Sequence, residues 1–133
     1  MQSKTLKMKF DSQITFLSVR NLQITSSFYE INFEFKLVLD QGQCRIYKTP
    51  ADSYIGFCEK QNVIVGENVV ITFVTEEVDK VFDELKSKAS DIEIVKEPAL
   101  NERFKIYNCF IKDPDGYLIE IQRFESPEWD DNK

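Results

Sequence analysis

Residues 113–122 read DPDGYLIEIQ, a tight turn that runs straight into a strand. In the turn, proline presets φ and glycine can adopt a positive φ, so we assign this motif to hairpin geometry and give it no catalytic role. In the strand, aromatic and aliphatic residues at odd positions alternate with Leu118, Glu120 and Gln122 at even positions. We expect the odd-numbered side chains to pack under helices and the even-numbered ones to share the opposite face.

The rest of the chain repeats the order of one strand, one helix and three strands. The first copy has a strand at 14–19, a helix after Asn21, and strands at 34–40, 43–49 and 53–59. The second copy has a strand at 69–74, a helix from Val78 to Ala89, and strands at 91–97, 103–112 and 116–124. Ile-Thr-Phe recurs at the first strand of each copy, at 14–16 and 71–73. Together with the matching element order, this repeat indicates a duplicated module in an α+β fold.

The length of 133 residues suits one domain. We place the first βαβββ module at about residues 13–60 and the second at about 68–124. Residues 1–12 form a polar lead-in and residues 125–133 an acidic tail, and we expect both to be flexible.

Composition narrows the class of protein. The net charge is −6 and the pI is about 4.8, which disfavours nucleic acid as a partner. The sequence shows neither an apolar run of transmembrane length nor a signal-peptide pattern, so we expect a soluble cytoplasmic protein without a membrane partner. Three cysteines without CxxC spacing favour free thiols in a reducing compartment. The chain contains no histidine, the most common general base and metal ligand.

Two stretches resemble the vicinal-oxygen-chelate superfamily, which includes glyoxalase I, bleomycin-resistance proteins, fosfomycin-resistance proteins and extradiol dioxygenases. LSVRNL at 17–22, followed by SSFY at 26–29, is similar to the opening strand and helix of the family. FIKDPDGYLIE at 110–120 is similar to its closing hairpin. The resemblance covers about residues 13–124. It implies two βαβββ modules that form a curled mixed sheet with a cleft, helices on the outer face, and assembly as a homodimer.

Enzymes of this family hold a divalent metal in the cleft through up to four side chains, two from each module. The resemblance puts one ligand position on Glu120 and the two first-strand positions on Ile14 and Val70, or on Ile71 in the register of the repeat. The fourth position stays open among three residues: Gly56, Cys58 and Glu59. Aliphatic side chains cannot bind a metal, and one certain carboxylate is too few ligands. We therefore expect no metal and no other cofactor.

Glu120 has two interpretations. On an antiparallel strand with one solvated face it is an exposed surface residue. In the fold that the resemblance implies, it is a recessed carboxylate, suited to act as a general base or to anchor a cation. We favour the second interpretation. The expected ligand-binding cleft then comprises Ile14, Phe16, Val70, Thr72, Leu118, Glu120 and Gln122.

Four polar residues on the middle strands have no predicted facing: Arg45, Tyr47, Lys105 and Tyr107. They are either cleft anchors or, more simply, exposed strand residues.

Three hypotheses for function follow. The first is a metal-free binding protein that sequesters a small organic molecule of unknown identity in an apolar cleft. The second is an enzyme of the same fold, a lyase or isomerase, that uses Glu120 as general acid or base. The third keeps a metal through Glu59 and Glu120, and the missing histidines make it the weakest. The chain is thus predicted to be a binding protein rather than an enzyme.

Overall fold

The computed structural model describes residues 8–88 and 92–133. Eight strands and three helices follow one another along the chain: β1 (Ile14–Val19), α1 (Leu22–Phe33), β2 (Lys36–Asp40), β3 (Cys44–Lys48), β4 (Tyr54–Glu59), β5 (Val70–Val74), α2 (Val78–Lys88), β6 (Glu93–Asn101), β7 (Ile106–Lys112), β8 (Leu118–Phe124) and α3 (Glu128–Asn132). This order confirms the predicted βαβββ repeat. Residues 1–7 of the expected flexible lead-in, the predicted helix end at Ala89 and the first residue of the predicted strand at 91–97 lie outside the described residues.

The strands form two four-stranded mixed sheets, one in each module. The strand order is β1-β4-β3-β2 in the first sheet and β5-β8-β7-β6 in the second. In both sheets the first strand pairs with the last in parallel, and the other pairs are antiparallel. The identical topology of the two sheets confirms the predicted duplication and the α+β class.

Alternation along the strands that carry the predicted cleft residues separates a face covered by helices from an open face. Ile119 and Ile121 of β8, and Tyr117 just before it, are at most 5% exposed, as predicted. In β1, Leu17 and Val19 are buried while Ile14 and Phe16 are exposed. We call the helix-covered side of each sheet its helix face and the other side its open face.

Two side chains accept hydrogen bonds from the free N–H groups at the start of helix α1. Asn21 Oδ1 accepts the Ile24 N–H at 3.0 Å, as its type and position predict. Glu59, at the end of β4, accepts the Leu22 N–H at 2.8 Å, which places a carboxylate at the positive end of the helix dipole. The helix ends at Glu34, whose φ of 57° is in the left-handed region.

The turn at 113–117 joins the two modules. Asp113 Oδ1 accepts the backbone N–H groups of residues 115, 116 and 117 at 2.9–3.0 Å. Its other oxygen accepts the Tyr29 hydroxyl of α1 at 2.7 Å. Burial raises the pKa of Tyr29 well above its ordinary value, and the Asp113 charge adds to this effect, so the hydroxyl remains a donor.

Further contacts from the same turn reach the first module. Arg20 donates its backbone N–H and its guanidinium to Asp115, at 2.9 and 3.1 Å. The Tyr117 hydroxyl donates to the Ser18 carbonyl at 2.7 Å. One cluster of buried apolar side chains spans both modules, so they share a single core.

The cysteine prediction was wrong for two of the three residues. Cys44 and Cys58 form a disulfide. They lie directly opposite each other on the adjacent antiparallel strands β3 and β4, which brings their Cα atoms to 4.1 Å. They are 14 positions apart in the chain, so the proximity arises from strand register, which spacing alone does not reveal. Cys109 is a free, buried thiol, as predicted.

Two other elements differ from the predicted ones. Strand β6 continues through Pro98 to Asn101, which an edge strand tolerates because one side of its backbone has no partner strand. The acidic tail contains the short helix α3, in which Trp129 stacks on Phe124 with ring centroids 4.5 Å apart. The sequence analysis missed this helix. Within the described residues, no helix has the length and apolarity needed to cross a membrane.

Asp113→Ala should lower the free energy of unfolding by about 2–4 kcal/mol, because several buried donors lose their acceptor. Asp113→Asn keeps one oxygen for the turn amides and should cost about 1 kcal/mol. Urea unfolding of the three proteins measures both values. An alanine variant as stable as the wild type would show that the turn does not hold the modules together.

The difference in stability between wild type and Asp113→Asn should also depend on pH. Burial raises the pKa of Asp113, and the hydrogen bonds from Tyr29 and the turn amides only partly oppose it. The Asp113 carboxyl therefore binds its proton more tightly in the folded state than in the unfolded state. The resulting stabilisation is present at low pH and is lost as pH rises through the raised pKa. The stability difference between wild type and Asp113→Asn should shrink from about pH 3 to about pH 7. A difference that grows over this range would contradict the assignment.

Candidate functional site

Glu120 lies at the centre of a polar network on the open face of the second sheet. Its carboxylate accepts the Thr72 hydroxyl at 2.8 Å through Oε1 and the Asn108 amide at 2.7 Å through Oε2. Lys96 then donates to Asn108 Oδ1 at 2.6 Å and to the Asn108 carbonyl at 3.0 Å. The Asn108 amide thus links the negative charge of Glu120 to the positive charge of Lys96.

Strand register builds this network. Thr72 on β5 lies directly beside Glu120 on β8 in the parallel pair. Asn108 on β7 is opposite Gln122, one pleat further along the same face, so its side chain reaches Glu120 diagonally. Lys96 extends from the edge strand β6. The four side chains meet because they come from four neighbouring strands of one sheet.

The network makes Glu120 a recessed residue rather than a surface one. Glu120 is only 8% exposed, and Asn108 is 3% exposed. Around them the open face is apolar and accessible, since Val70 and Val74 are 42% and 43% exposed. The Gln122 Oε1 atom is buried, and no described residue donates a hydrogen bond to it. A buried carboxylate and an unpaired amide oxygen therefore lie on one apolar face.

The predicted cleft residues divide between the two sheets. The members on the open face of the second sheet are Val70, Thr72, Leu118, Glu120 and Gln122, which are register neighbours on β5 and β8. Ile14 and Phe16 lie on the open face of the first sheet. The Phe16 ring covers Gly56, because a Cβ placed on Gly56 would lie 2.4 Å from two ring carbons.

A cavity of about 610 Å³ separates the edge strands β1 and β5. Val70 and Thr72 line it from β5. On the other side it is lined by Gln13, just before β1, and by Thr15 and Leu17 of β1, the alternate set to Ile14 and Phe16. The cavity therefore brings together only part of the predicted cleft.

The donor set does not fit the divalent metal of the family enzymes. Ile14 and Val70 are aliphatic, and Gly56 has no side chain and is covered by Phe16. Cys58 is oxidised in the disulfide, and Glu59 caps α1 from the other side of its strand. Among the described residues, no three His, Cys, Asp or Glu side chains are grouped to hold a metal ion. Glu120 alone offers too few ligands.

Three of the four polar residues without a predicted facing form hydrogen bonds with helix residues. Arg45 donates to Ser26 of α1 at 2.9 Å, and Tyr47 donates to Glu30. In the second module, Tyr107 donates to Asp79 of α2 at 2.6 Å. Lys105 lies in the turn before β7, with a φ of 54°.

The sequence analysis missed Asn108 and Lys96, which complete the Glu120 network. Asn108 alternates with the buried residues Cys109 and Ile111 of β7. A signal could have found it: Asn108 is a polar residue on a strand that pairs with the strand of Glu120. Cys109 faces the other way, and burial raises the pKa of its thiol to about 11, so it stays protonated. It offers no nucleophile.

The family model described as Glyoxalase/Bleomycin resistance protein/Dioxygenase superfamily matches residues 12–121. The chain belongs to this superfamily. The match runs from just before β1 into β8 and includes the turn at 113–116, and it confirms the resemblance found in the sequence. No curated protein sequence is significantly similar to the chain.

Solved structures share the superfamily fold at low sequence identity. The fosfomycin resistance protein FosX from Listeria monocytogenes is 19% identical, with a TM-score of 0.72 over 87% of this chain and 94% of that one. A glyoxalase/bleomycin resistance protein/dioxygenase family enzyme from Burkholderia phytofirmans is 18% identical, with a TM-score of 0.68 over 83% and 95%. A protein of the same description from Nocardioides is 14% identical, with a TM-score of 0.73 over 90% and 86%. At these identities the likeness shows the fold alone.

Asn108→Leu should lower the free energy of unfolding by about 1–3 kcal/mol, because Glu120 and Lys96 both lose a buried partner. Asn62→Leu, at an exposed loop position, is the matched control and should change stability by less than about 0.5 kcal/mol. If the network is real, Asn108→Leu and Glu120→Leu combined should cost less than the sum of the two single variants. Additive losses in urea unfolding would show that Asn108 and Glu120 are independent.

Proposed function

We propose that this superfamily member is a metal-free binding protein that holds a small organic molecule on its open, apolar face. The observation that carries the proposal is the Glu120 network. Both carboxylate oxygens are oriented by neutral donors, so the charge has a fixed position among exposed aliphatic side chains. Apolar walls with a few well-placed polar groups are the usual composition of a small-molecule site.

The charges favour a ligand with a cationic or hydrogen-bond-donating group. Glu120 retains acceptor capacity beyond the two hydrogen bonds it makes, since a carboxylate offers about four lone-pair directions. Gln122 Oε1 adds a second acceptor on the same face. Val70 and Val74, which are exposed on the same open face as Glu120, would contact the apolar part of such a molecule. On the second sheet, the site of this proposal comprises the predicted Val70, Thr72, Leu118, Glu120 and Gln122 together with Asn108, and the part played by Ile14 and Phe16 of the first sheet stays a prediction.

The metal-free part of the proposal follows from the chemistry of the donor set. Three of the four family ligand positions carry side chains that cannot bind a metal in their present state, for the reasons given above. Divalent metals of this kind need three or more nitrogen, oxygen or sulfur ligands from the protein. The function proposed here therefore uses the side chains alone.

An enzyme of the same fold is the second candidate, and Lys96 is the observation that favours it. Acid or base catalysis by Glu120 needs a further group that stabilises developing negative charge. Lys96 is one amide away from Glu120 and supplies a positive charge on the same face. A compound that is bound and chemically converted by wild type, but only bound by Glu120→Gln, would favour the enzyme over the binding protein.

We also propose that the chain forms a homodimer. Ile14 and Phe16 are 36% and 50% exposed on the open face of the first sheet, and a second copy would cover these side chains. Sedimentation equilibrium gives the mass directly. A monomer at micromolar concentration would rule this part of the proposal out.

The cytoplasmic location stays a prediction. The Cys44–Cys58 disulfide argues against a cytoplasmic location, because glutathione and thioredoxin keep most cytosolic thiols reduced. The redox state of these two cysteines in the cell bears directly on the location.

A thermal-shift screen of aromatic and cationic small molecules tests the binding function. A ligand at about 100 times its Kd should stabilise the native state by about 2.7 kcal/mol and raise the Tm. Glu120→Gln should remove most of the shift, measured against the Tm of the unliganded variant. Glu102→Gln, at an exposed turn position, is the matched control and should keep the full shift.

Two outcomes would contradict the proposal. Equal ligand shifts in wild type and Glu120→Gln would show that Glu120 is not part of the site. Stoichiometric zinc, nickel, manganese or iron in protein purified without chelator would overturn the metal-free assignment.

A further inference from the structure

A second cavity lies between the modules on their helix side. Its volume is about 360 Å³, within the range of small-molecule sites. The end of α1, the part of α2 from Val81 to Lys88 and the end of β5 form its walls, and neither Glu120 nor Thr72 lines it. It adjoins the larger cavity through Ala51, Phe73 and Val74, which line both.

Three phenylalanine rings form an aromatic wall in this cavity. Phe33 stacks on Phe73 with ring centroids 5.3 Å apart and an interplanar angle of 27°. Phe35 meets Phe73 edge to face at 5.8 Å. Val81 and Ile121 complete the apolar lining. Such rings favour a planar aromatic ligand, which can stack on one ring and meet another with its edge.

Asn32 supplies a polar group in the same cavity. Its Oδ1 atom is buried, and no described residue donates a hydrogen bond to it. An unpaired buried acceptor is unfavourable, so a ligand that donates a hydrogen bond gains affinity there. The charged groups of the lining are Glu34, Glu84 and Lys88, two acids and one base, which disfavours an anionic ligand.

We propose that this cavity binds a small, neutral, planar aromatic molecule that carries one hydrogen-bond donor, of the indole or phenol class. The ring lies against Phe33 and Phe73, and the donor group binds Asn32 Oδ1. None of the residues of the Glu120 network lines this cavity, and the inference does not depend on the function proposed for Glu120.

Indole and N-methylindole form a matched pair of probes, because methylation removes the donor and leaves the ring system intact. By calorimetry, wild type should bind indole about three- to tenfold more tightly than N-methylindole. Asn32→Leu should abolish this preference while it retains binding of both rings. Asn62→Leu, the same substitution in an exposed loop, should keep the preference.

A second pair of variants tests the position of the ligand. Val81→Phe places a larger side chain toward the cavity and should weaken indole binding at least tenfold. Val95→Phe, the same substitution at a position of β6 that is 50% exposed, should have no effect. In nitrogen-labelled protein, indole should shift the NMR signals of the Asn32 side-chain amide and the Phe33 and Phe73 backbone amides.

Three results would overturn the proposal. The first is no binding of indole to folded wild-type protein. The second is equal affinity for indole and N-methylindole in wild type, which would remove the role of Asn32. The third is a set of NMR shifts confined to the residues around Glu120, which would place indole on the other face. The NMR result stands even where Val81→Phe fails to fold, because it is measured on the wild type.

Discussion

The carboxylate of Asp113 is the constraint on which the arrangement of the two modules depends. One oxygen closes the turn by accepting three backbone amides, and the other accepts the Tyr29 hydroxyl from the opposite module. Burying a carboxylate is unfavourable unless its hydrogen bonds are made, so turn and helix α1 must meet in one geometry. Arg20 and Asp115 add an ion pair at the rim of the same junction. The shared core then packs around a joint whose polar groups are already satisfied.

Strand register determines the site in the same way. The position of Glu120 beside Thr72 and diagonal to Asn108 follows from the pairing of β5, β8 and β7. A shift of one residue would turn every side chain of β8 to the other face and put Ile119 on the open side. The apolar packing of Ile119 and Ile121 under α2 therefore also holds the Glu120 carboxylate on the open face. Core packing and the candidate site are two sides of one strand.

Comparison of particular elements shows where reasoning from sequence succeeds. The alternation in β8 predicted both the buried face and the facing of Glu120, because a strand has a period of two residues. It did not predict Asn108 or Lys96, since the pairing of strands far apart in sequence determines which side chains meet. The Cys44–Cys58 bond was missed for the same reason. The cavity between β1 and β5 is lined by Gln13 and not by Ile14, which only the relative placement of the two modules decides.

By itself, the sequence determined the βαβββ repeat and the superfamily, and it predicts aliphatic residues at two of the family's metal positions and a glutamate at a third. These properties are local or compositional: a turn motif, a two-residue period, the absence of histidine. Only the tertiary structure decided that Asp113 joins the modules and that Glu120 is buried in a network with Thr72, Asn108 and Lys96. It alone shows that Glu59 caps a helix and that Asn32 Oδ1 lies in an aromatic cavity without a hydrogen bond from any residue that the structure describes. Each of these depends on contacts between distant segments, because hydrogen bonds and packing act over a few ångströms in space regardless of separation along the chain.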